Sequence, residues 1–476
     1  MMINMIMKDL RHINYIFLKI KNYFSQFYFI KYIIKMEEVA PSAVMYGDQL
    51  PLGISAKSQR RLFMPATGDN YTDSGTNICR IDINADSMLD TNQSYLMFNF
   101  RNDSAANIVL DQGQPLISRI RIESGGVVLE DIQNYNQLVG GILLPCNAGV
   151  SNIQQQKLSK TLASLSSDNS ARTNGVGTLT YGTNVVSTES NGASALGQND
   201  STTQCYKLHT ALLDNEKYLP LVLMNAGLTI EIEWDTSGAI GVTNGAVAVD
   251  WTISAVRYVA HLVDLDRSFY DRLRLVQQNS GGVLQIAGQS YRSFSHSITN
   301  GTVDSNINIP CRVKSIKSIF WKSSRTTANT TFFDLSSGGH INTTEYQLRI
   351  GATTYPPTSV KVNPLSNKVE PYMELQKSWG KLGSNIHSDW LSSDVYLSSA
   401  VPTVGLGGPM RVAPFGIDLE SFRHEIENGV DTASRSLPMT LQITHGDPGS
   451  DATCYIFVLF DSLFYVNMDG SVSVSN

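Results

Sequence analysis

From about Ala56 onward, apolar and polar residues alternate along the chain with a period of two. That period sets successive side chains on opposite faces of an extended backbone and predicts half-buried β-strands. In "SYLMFNF" the residues Leu96, Phe98 and Phe100 share one face, and in "SRIRIES" Ile120 and Ile122 oppose Arg119, Arg121 and Glu123. "LTIEIEW" sets Leu228, Ile230, Ile232 and Trp234 against Thr229, Glu231 and Glu233, while "DWTISAVRYVAHL" groups Val256, Tyr258, Ala260 and Leu262. Clusters of Gly, Asn, Asp and Ser break these runs every 8 to 15 residues, which predicts antiparallel sandwiches rather than alternating βαβ units.

The order of these runs recurs. A strand with basic flanks, a small-residue turn and a second strand occur in "GQPLISRIRIESGGVVLEDIQNYN" (113–136) and again in "TEYQLRIGATTYPPTSVKVN" (344–363). "RVKSIKSIFW" (312–321) and "EYQLRIG" (345–351) correspond to the early strands, "LPMTLQIT" (437–444) to "LTIEIEW", and "TCYIFVLFDSLFYV" (453–466) to the closing run at 250–262. Offsets of roughly 200 to 230 residues throughout favour a duplicated sandwich.

Helices are expected to be few. "EPYMELQKSWGKLG" carries Pro371 in its first turn, Tyr372, Leu375, Trp379 and Leu382 at helical spacing, and Gly383 as a stop. "GIDLESFRHEIENG" offers Asp418 as N-cap, a Leu419, Phe422 and Ile426 stripe, and Gly429 after the last turn. "LEDIQNYNQLVGGILL" spaces Leu129, Ile132 and Leu138 similarly, and "DLDRSFYDRLRLVQQNSGG" (264–282) reads as a connector helix with Leu265, Phe269, Leu273 and Val276 on one face. The stretch from Asn147 to Gln204 has neither period and far exceeds the roughly 4 to 6 residues of a typical connection, so it is expected to be a large loop inserted in the first sandwich.

Composition changes the picture at the N-terminus. Residues 1–35 hold six Lys or Arg against one acid, so this stretch carries +5 and the remainder −11 within a net charge of −6. Its longest uncharged run, Asn22 to Ile30, is nine residues against the roughly 20 needed for a spanning helix. A basic amphipathic anchor on a membrane surface and translated upstream sequence, with the start at Met36, are the two readings; the abrupt compositional change at a methionine favours the second. Charged residues make up only 16% of the 476, below the roughly 25% usual for soluble domains, and the surface is solvated largely by Ser, Thr, Asn and Gly, which suits close packing of subunits. An acidic balance argues against a general nucleic-acid binder.

The chain carries few signatures of reactive chemistry. GxSxG, GxxxxGK[ST], HExxH and a strand-following GxGxxG are missing from the sequence. The eight histidines never fall closer than 21 residues apart, and the five cysteines (Cys79, Cys146, Cys205, Cys311, Cys454) form no CxxC pair and read as unpaired thiols. His445, Asp447 and Asp451 in "HGDPGSD" could gather around a cation, but a solvated turn accounts for them better. Asn92, Asn102, Asn199, Asn300, Asn329 and Asn342 lie in N-x-[ST] sequons, as chance provides in so Asn-, Ser- and Thr-rich a chain. No catalytic, cofactor-binding or metal-binding residue is assigned, no cofactor is expected, and the chain is not expected to be an enzyme.

"SQRRLFMPATGDNY" (58–71), "MLDTNQSYLMFNF" (88–100), "LISRIRIESGGVVLEDIQNYNQL" (116–138), "YLPLVLMNAGLTIEIEW" (218–234) and "YQLRIGATTYPP" (346–357) resemble the major capsid proteins of polinton-like viruses and virophages, in the double jelly-roll lineage of tailless DNA viruses. The resemblance implies an all-β fold of two tandem eight-stranded antiparallel jelly rolls with a few short helices between strands. The expected organisation is a basic extension over 1–35, an arm over 36–55, a first jelly roll over 56–263 with the 147–204 insertion, a connector helix over 264–282, a second jelly roll over 283–468 and a C-terminal tail over 469–476. It further implies a major capsid protein of the virion whose homotrimers form pseudo-hexameric capsomers of an icosahedral shell. The partners would be neighbouring capsomers, penton and minor capsid proteins, without specific nucleic-acid binding; an internal membrane beneath the shell is left open. The alternatives at this stage are a β-sandwich minor capsid, fibre or receptor- or carbohydrate-binding protein, and a β-sandwich hydrolase with carboxylates that converge only in space.

Overall fold

The computed structural model describes residues 55–75, 77–147, 155, 158–159, 196–235, 240–243, 248–325, 335, 342–363, 366–382, 396–397, 414–422, 426–434, 437–446 and 451–476. The extension, nearly all of the arm and the start at Met36 lie outside these residues, as does most of the 147–204 insertion. Residues Ser55–Asn476 form one compact unit.

The first half contains β1 (Ala56–Phe63), β2 (Asn70–Thr72), β3 (Ile78–Ile83), β4 (Met88–Asn102), β5 (Ile108–Leu110), β6 (Ile117–Ser124), β7 (Val127–Gln133), β8 (Ser201–Tyr206), β9 (Leu219–Pro220), β10 (Leu228–Trp234), β11 (Gly241–Thr243) and β12 (Trp251–Leu265). After β7 come α1 (Tyr135–Leu138), a π turn (Val139–Leu143) and α2 (Leu144–Asn147); α3 (Arg267–Asn279) leads into the second half. That half contains β13 (Val283–Ile298), β14 (Asp304–Asn308), β15 (Ile316–Arg325), β16 (Thr343–Ile350), β17 (Thr353–Lys361), α4 (Val369–Ser378), β18 (Phe415–Asp418), β19 (Met439–His445), β20 (Ala452–Asn467) and β21 (Val472–Ser475).

Each half is a sandwich of two antiparallel sheets. In the first, one sheet runs β1-β12-β4-β8 and the other β3-β10-β6-β7, with β2 and β9 attached to the former and β5 and β11 paired apart. In the second, the sheets run β13-β20-β15-β18, extended by β21, and β14-β19-β16-β17. Numbering the principal strands of each half one to eight gives the same two orders both times, 1-8-3-6 and 2-7-4-5, the swirl made when a long hairpin coils into two Greek keys.

Burial follows the alternation read from the sequence. Leu96, Phe98, Phe100, Ile120, Ile122, Ile230, Ile232 and Trp234 are all at 0% exposure, whereas Glu231 and Arg121 on the opposite face are half-buried. The cores repeat in their aromatic packing. Phe98 on the third strand meets Tyr206 on the sixth at 5.2 Å between ring centroids, and Trp321 meets Phe415 on the corresponding strands at 5.5 Å. The hairpin between β6 and β7 closes through Gly125 and Gly126, at φ 58° and 83°, the two positive angles that a two-residue turn compatible with strand twist demands.

Four expectations are corrected. Leu129 and Ile132 lie in β7, and only Leu138 is helical, because Asn134 at φ 50° turns the chain out of the sheet before the helix starts. Asp418 ends a strand rather than capping a helix; Leu419–Phe422 is not helical, Phe422 and Ile426 are 72% and 58% exposed, and 423–425 lie outside the described residues. The end of the 147–204 stretch belongs to β8, which pairs with β4 from Ser201. The expected tail contains β21, which pairs with Leu463–Val466 of β20. Elsewhere, α4 occupies Val369–Ser378, one residue before the expected start, and ends ahead of the expected Trp379 and Leu382, with Gly380 at φ 66° and Gly383 outside the described residues; α3 occupies Arg267–Asn279 within the expected connector, although Leu265 ends β12 and Val276 is 53% exposed.

Candidate functional site: the seam between the two rolls

The residues weighed for metal binding do not converge. His445 is buried with Nε2 3.1 Å from Ser305 Oγ, and burial pushes its pKa down; Asp451 accepts a hydrogen bond from the Asn300 amide at 2.8 Å; Asp447 lies outside the described residues. Among the described residues, no group of three or more His, Cys, Asp or Glu is placed to hold a metal ion. The five cysteines are unpaired. Burial pushes Cys79 and Cys311 up to about 11 and Cys146 and Cys454 up to about 12, which suppresses the thiolate a nucleophile needs.

A polar groove on the outer face of the second four-stranded sheet is lined by Asp304 and Glu345, which flank Thr444. Lys361 donates a hydrogen bond to Glu345 and holds its carboxyl below the ordinary range, the opposite of what a general acid requires. Asp304 accepts from Thr444 Oγ1 at 3.0 Å. These carboxylates are ordinary cross-strand partners.

The concentrated buried polar chemistry lies between the sandwiches. Glu130 on β7 accepts the backbone amides of Ala211 and Leu212 at 2.8 and 2.9 Å and the hydroxyl of Ser290, on β13 of the second sandwich, at 2.7 Å. Its residue exposure is 4%, and burial pushes the carboxyl up despite these donors. Around it, Asn215 donates to the Ala287 carbonyl at 2.8 Å and Asn134 to Ser293 Oγ at 2.9 Å. Asn225 binds the turn before β21 through its amide, 3.0 Å from the Gly470 carbonyl.

A second anchor forms where the π turn meets β15. A side chain at Gly140 would place its Cβ 2.8 Å from the Gln112 carbonyl and 3.1 Å from Leu335 Cβ, and one at Gly141 would meet Lys322 Cδ at 2.6 Å. Only glycines allow this approach. Leu335, fully buried, donates its amide to Asp111 at 2.8 Å, and Lys322, 1% exposed, donates to the Leu335 carbonyl at 3.0 Å. Lys381 reaches the Cys146 carbonyl at 3.1 Å. Within the second sandwich, Lys317 bridges Glu420 at 2.8 Å and Asp461 at 3.5 Å, with side-chain exposures of 4%, 15% and 5%.

None of these seam residues is legible from sequence. Apart from Lys322, whose partner Leu335 is 13 residues on, their hydrogen-bond partners lie 72 to 245 positions away, and an isolated Glu, Asp or Lys in a strand ordinarily signals solvent. The one local hint is Gly140–Gly141 within an apolar run, which marks close approach of another backbone or side chain.

Two sandwiches with identical eight-strand orders, fused side by side through a hydrogen-bonded polar seam, define a double jelly-roll protein. Solved structures with this fold include the Faustovirus major capsid protein (TM-score 0.55, 8% identity, 88% of this chain and 92% of that one) and the Sputnik virophage (0.55, 10%, 92% of each). The mavirus major capsid protein matches with a TM-score of 0.52 at 10% identity over 91% of this chain and 93% of its own. No family model and no curated protein matches the sequence. The chain therefore has the fold of these viral capsid proteins along nearly its whole described length.

Proposed function

We propose that the chain is a major capsid protein, a structural and non-catalytic component of a virion. The observation that carries this reading is the duplicated strand order, together with a fold match to capsid proteins over about nine-tenths of both chains. Physical logic supports the rest. A chain of two similar wedges gives three copies six near-equivalent sectors, so head-to-tail contacts around a three-fold axis close and leave no adhesive surface unsatisfied. Such a pseudo-hexameric capsomer would tile an icosahedral shell with neighbouring capsomers, penton and minor capsid proteins.

Residues 36–476 purified alone are expected to sediment as a trimer, with total buried area at each subunit contact above the roughly 2,000 Å² of obligate assemblies. Electron micrographs of the product should show hexagonal particles. A stable monomer at micromolar concentration that binds a glycan would instead establish a receptor- or carbohydrate-binding protein.

A further inference from the structure

The outer faces of the two corresponding sheets differ sharply in burial. In the second roll, the outward residues of β15, namely Ser318, Phe320, Lys322 and Ser324, are 1%, 0%, 1% and 3% exposed. Strand β15 is therefore buried on both sides. The outward direction is fixed by Trp321, which meets Tyr346 of the opposing sheet at 4.9 Å, while its neighbour Phe320 stacks on Trp379 at 4.3 Å. Part of this cover comes from the first roll, through the π turn against Lys322.

The matching face of the first roll is open among the described residues. Phe98 meets Trp234 inside at 5.0 Å, so Tyr95, Met97, Asn99 and Arg101 of β4 point outward; Tyr95 and Met97 are half-buried, Asn99 and Arg101 exposed. Arg257 opposite Met97 is half-buried, and Thr203 opposite Asn99 is exposed. Strand β12 accordingly alternates in burial along most of its length, whereas β20 is buried at every position from Ile456 to Leu463.

The elements that the first roll presses onto the second are β7, the helical segment after it, and residues around 211–215 between its sixth and seventh strands. Their counterparts in the second roll are β17, α4 and the segment after β18. Helix α4 packs Leu375 and Ser378 toward Gly416 of its own roll, yet Val369 and Met373 remain 70% and 45% exposed. Phe422 and Ile426, after β18, are 72% and 58% exposed. Among the described residues, one half of the chain thus has a sheet face without the cover its twin receives. The other half carries exposed apolar side chains on the elements that supply such cover.

We infer that the outer β4 face of the first roll receives the α4 and Phe422 side of the second roll of another copy, repeating between chains the contact made within each. The inference rests on the capsid reading and names the surfaces that close the trimer. The open face carries Arg257 and the Arg101–Asp103 ion pair beside apolar Tyr95 and Met97, so a lysine placed on the incoming side sets an unpaired ammonium against apolar surface and Arg257 and opposes docking.

The test uses two variants of residues 36–476, Val369→Lys/Phe422→Lys and Met97→Lys/Asn99→Lys, checked by circular dichroism and sedimentation velocity. Each alone is expected to be a folded monomer. An equimolar mixture is expected to stop at the heterodimer, because one intact incoming side meets one intact sheet face and no second contact can form. Trimeric variants beside a trimeric wild type overturn this assignment and leave the capsid reading standing, as does a mixture that stays monomeric. A monomeric wild type overturns both. Should a lysine pair unfold, Val369→Ser/Phe422→Ser and Asn99→Asp replace it, with at least a tenfold weaker trimer expected and unchanged association overturning the assignment.

Discussion

Glu130→Ala probes the seam most directly. The substitution removes the acceptor shared by the Ala211 and Leu212 amides and the Ser290 hydroxyl, leaving three donors at a buried junction. An orphaned buried donor costs about 1–3 kcal/mol, and removing a carboxylate whose desolvation is incompletely repaid returns part of that, so a net loss of about 3–4 kcal/mol is expected. The pH dependence carries a sign. An unfolded Glu titrates near about 4.3, and the folded carboxyl is pushed above its ordinary value by burial. Folded protein therefore holds the proton to higher pH than unfolded protein, and this contribution to stability falls as pH rises from about 4.3 through the folded pKa. Alanine has no such slope, so the gap between wild type and variant should be widest on the acid side and narrow toward pH 8. Guanidinium titrations at several pH values, followed by tryptophan fluorescence, measure both quantities. A loss under about 0.5 kcal/mol, or a gap that widens with pH, would refute the assignment of Glu130 as the anchor of the seam.

Gly140→Ala should cost about 1–3 kcal/mol, because its Cβ would sit 2.8 Å from the Gln112 carbonyl in a turn that cannot move freely; thermal melting within 1 °C of wild type would contradict this. Lys317→Met should destabilise the second roll by about 3–5 kcal/mol through the unbalanced Glu420 and Asp461 carboxylates, read as a lower denaturant midpoint. Ile232→Asp, at 0% exposure, should abolish soluble protein by burying a charge. Its neighbour Glu231 pairs with Arg121 at 3.7 Å on a half-buried face, so Glu231→Gln should cost about 0.5 kcal/mol or less; equal soluble yields for the two variants would remove the two-face assignment of β10.

Double jelly-roll geometry places conflicting demands on each strand, and the seam shows how they are met. Strand β7 must pair with β6 on one side and approach β13 on the other, so Leu129 and Glu130 are buried in succession at 3% and 4% exposure. A charged residue in that position is tolerated because backbone amides, rather than water, solvate it.

The sequence by itself determined the strands that see one core and one solvent face. In "LTIEIEW" and "SYLMFNF" the two environments differ at every step, so hydrophobic burial writes a period of two directly into residue choice. The duplication was legible for the same reason, since the seventh strands of both rolls, β10 and β19, retain that demand. Where a strand is enclosed on both sides the period disappears: Leu129, Ile132 and Leu138 acquire a helical spacing by crossing from β7 into α1. Around Asp418 the same apparent spacing joins the end of a strand to exposed Phe422 and Ile426. Only the tertiary structure decided that Asp111, Glu130, Lys317 and Lys322 are interior residues. A charge is tolerated inside only when its donors or acceptors are delivered to it, and for Asp111, Glu130 and Lys317 those groups come from segments distant along the chain, while for Lys322 the carbonyl of Leu335 arrives from 13 residues on.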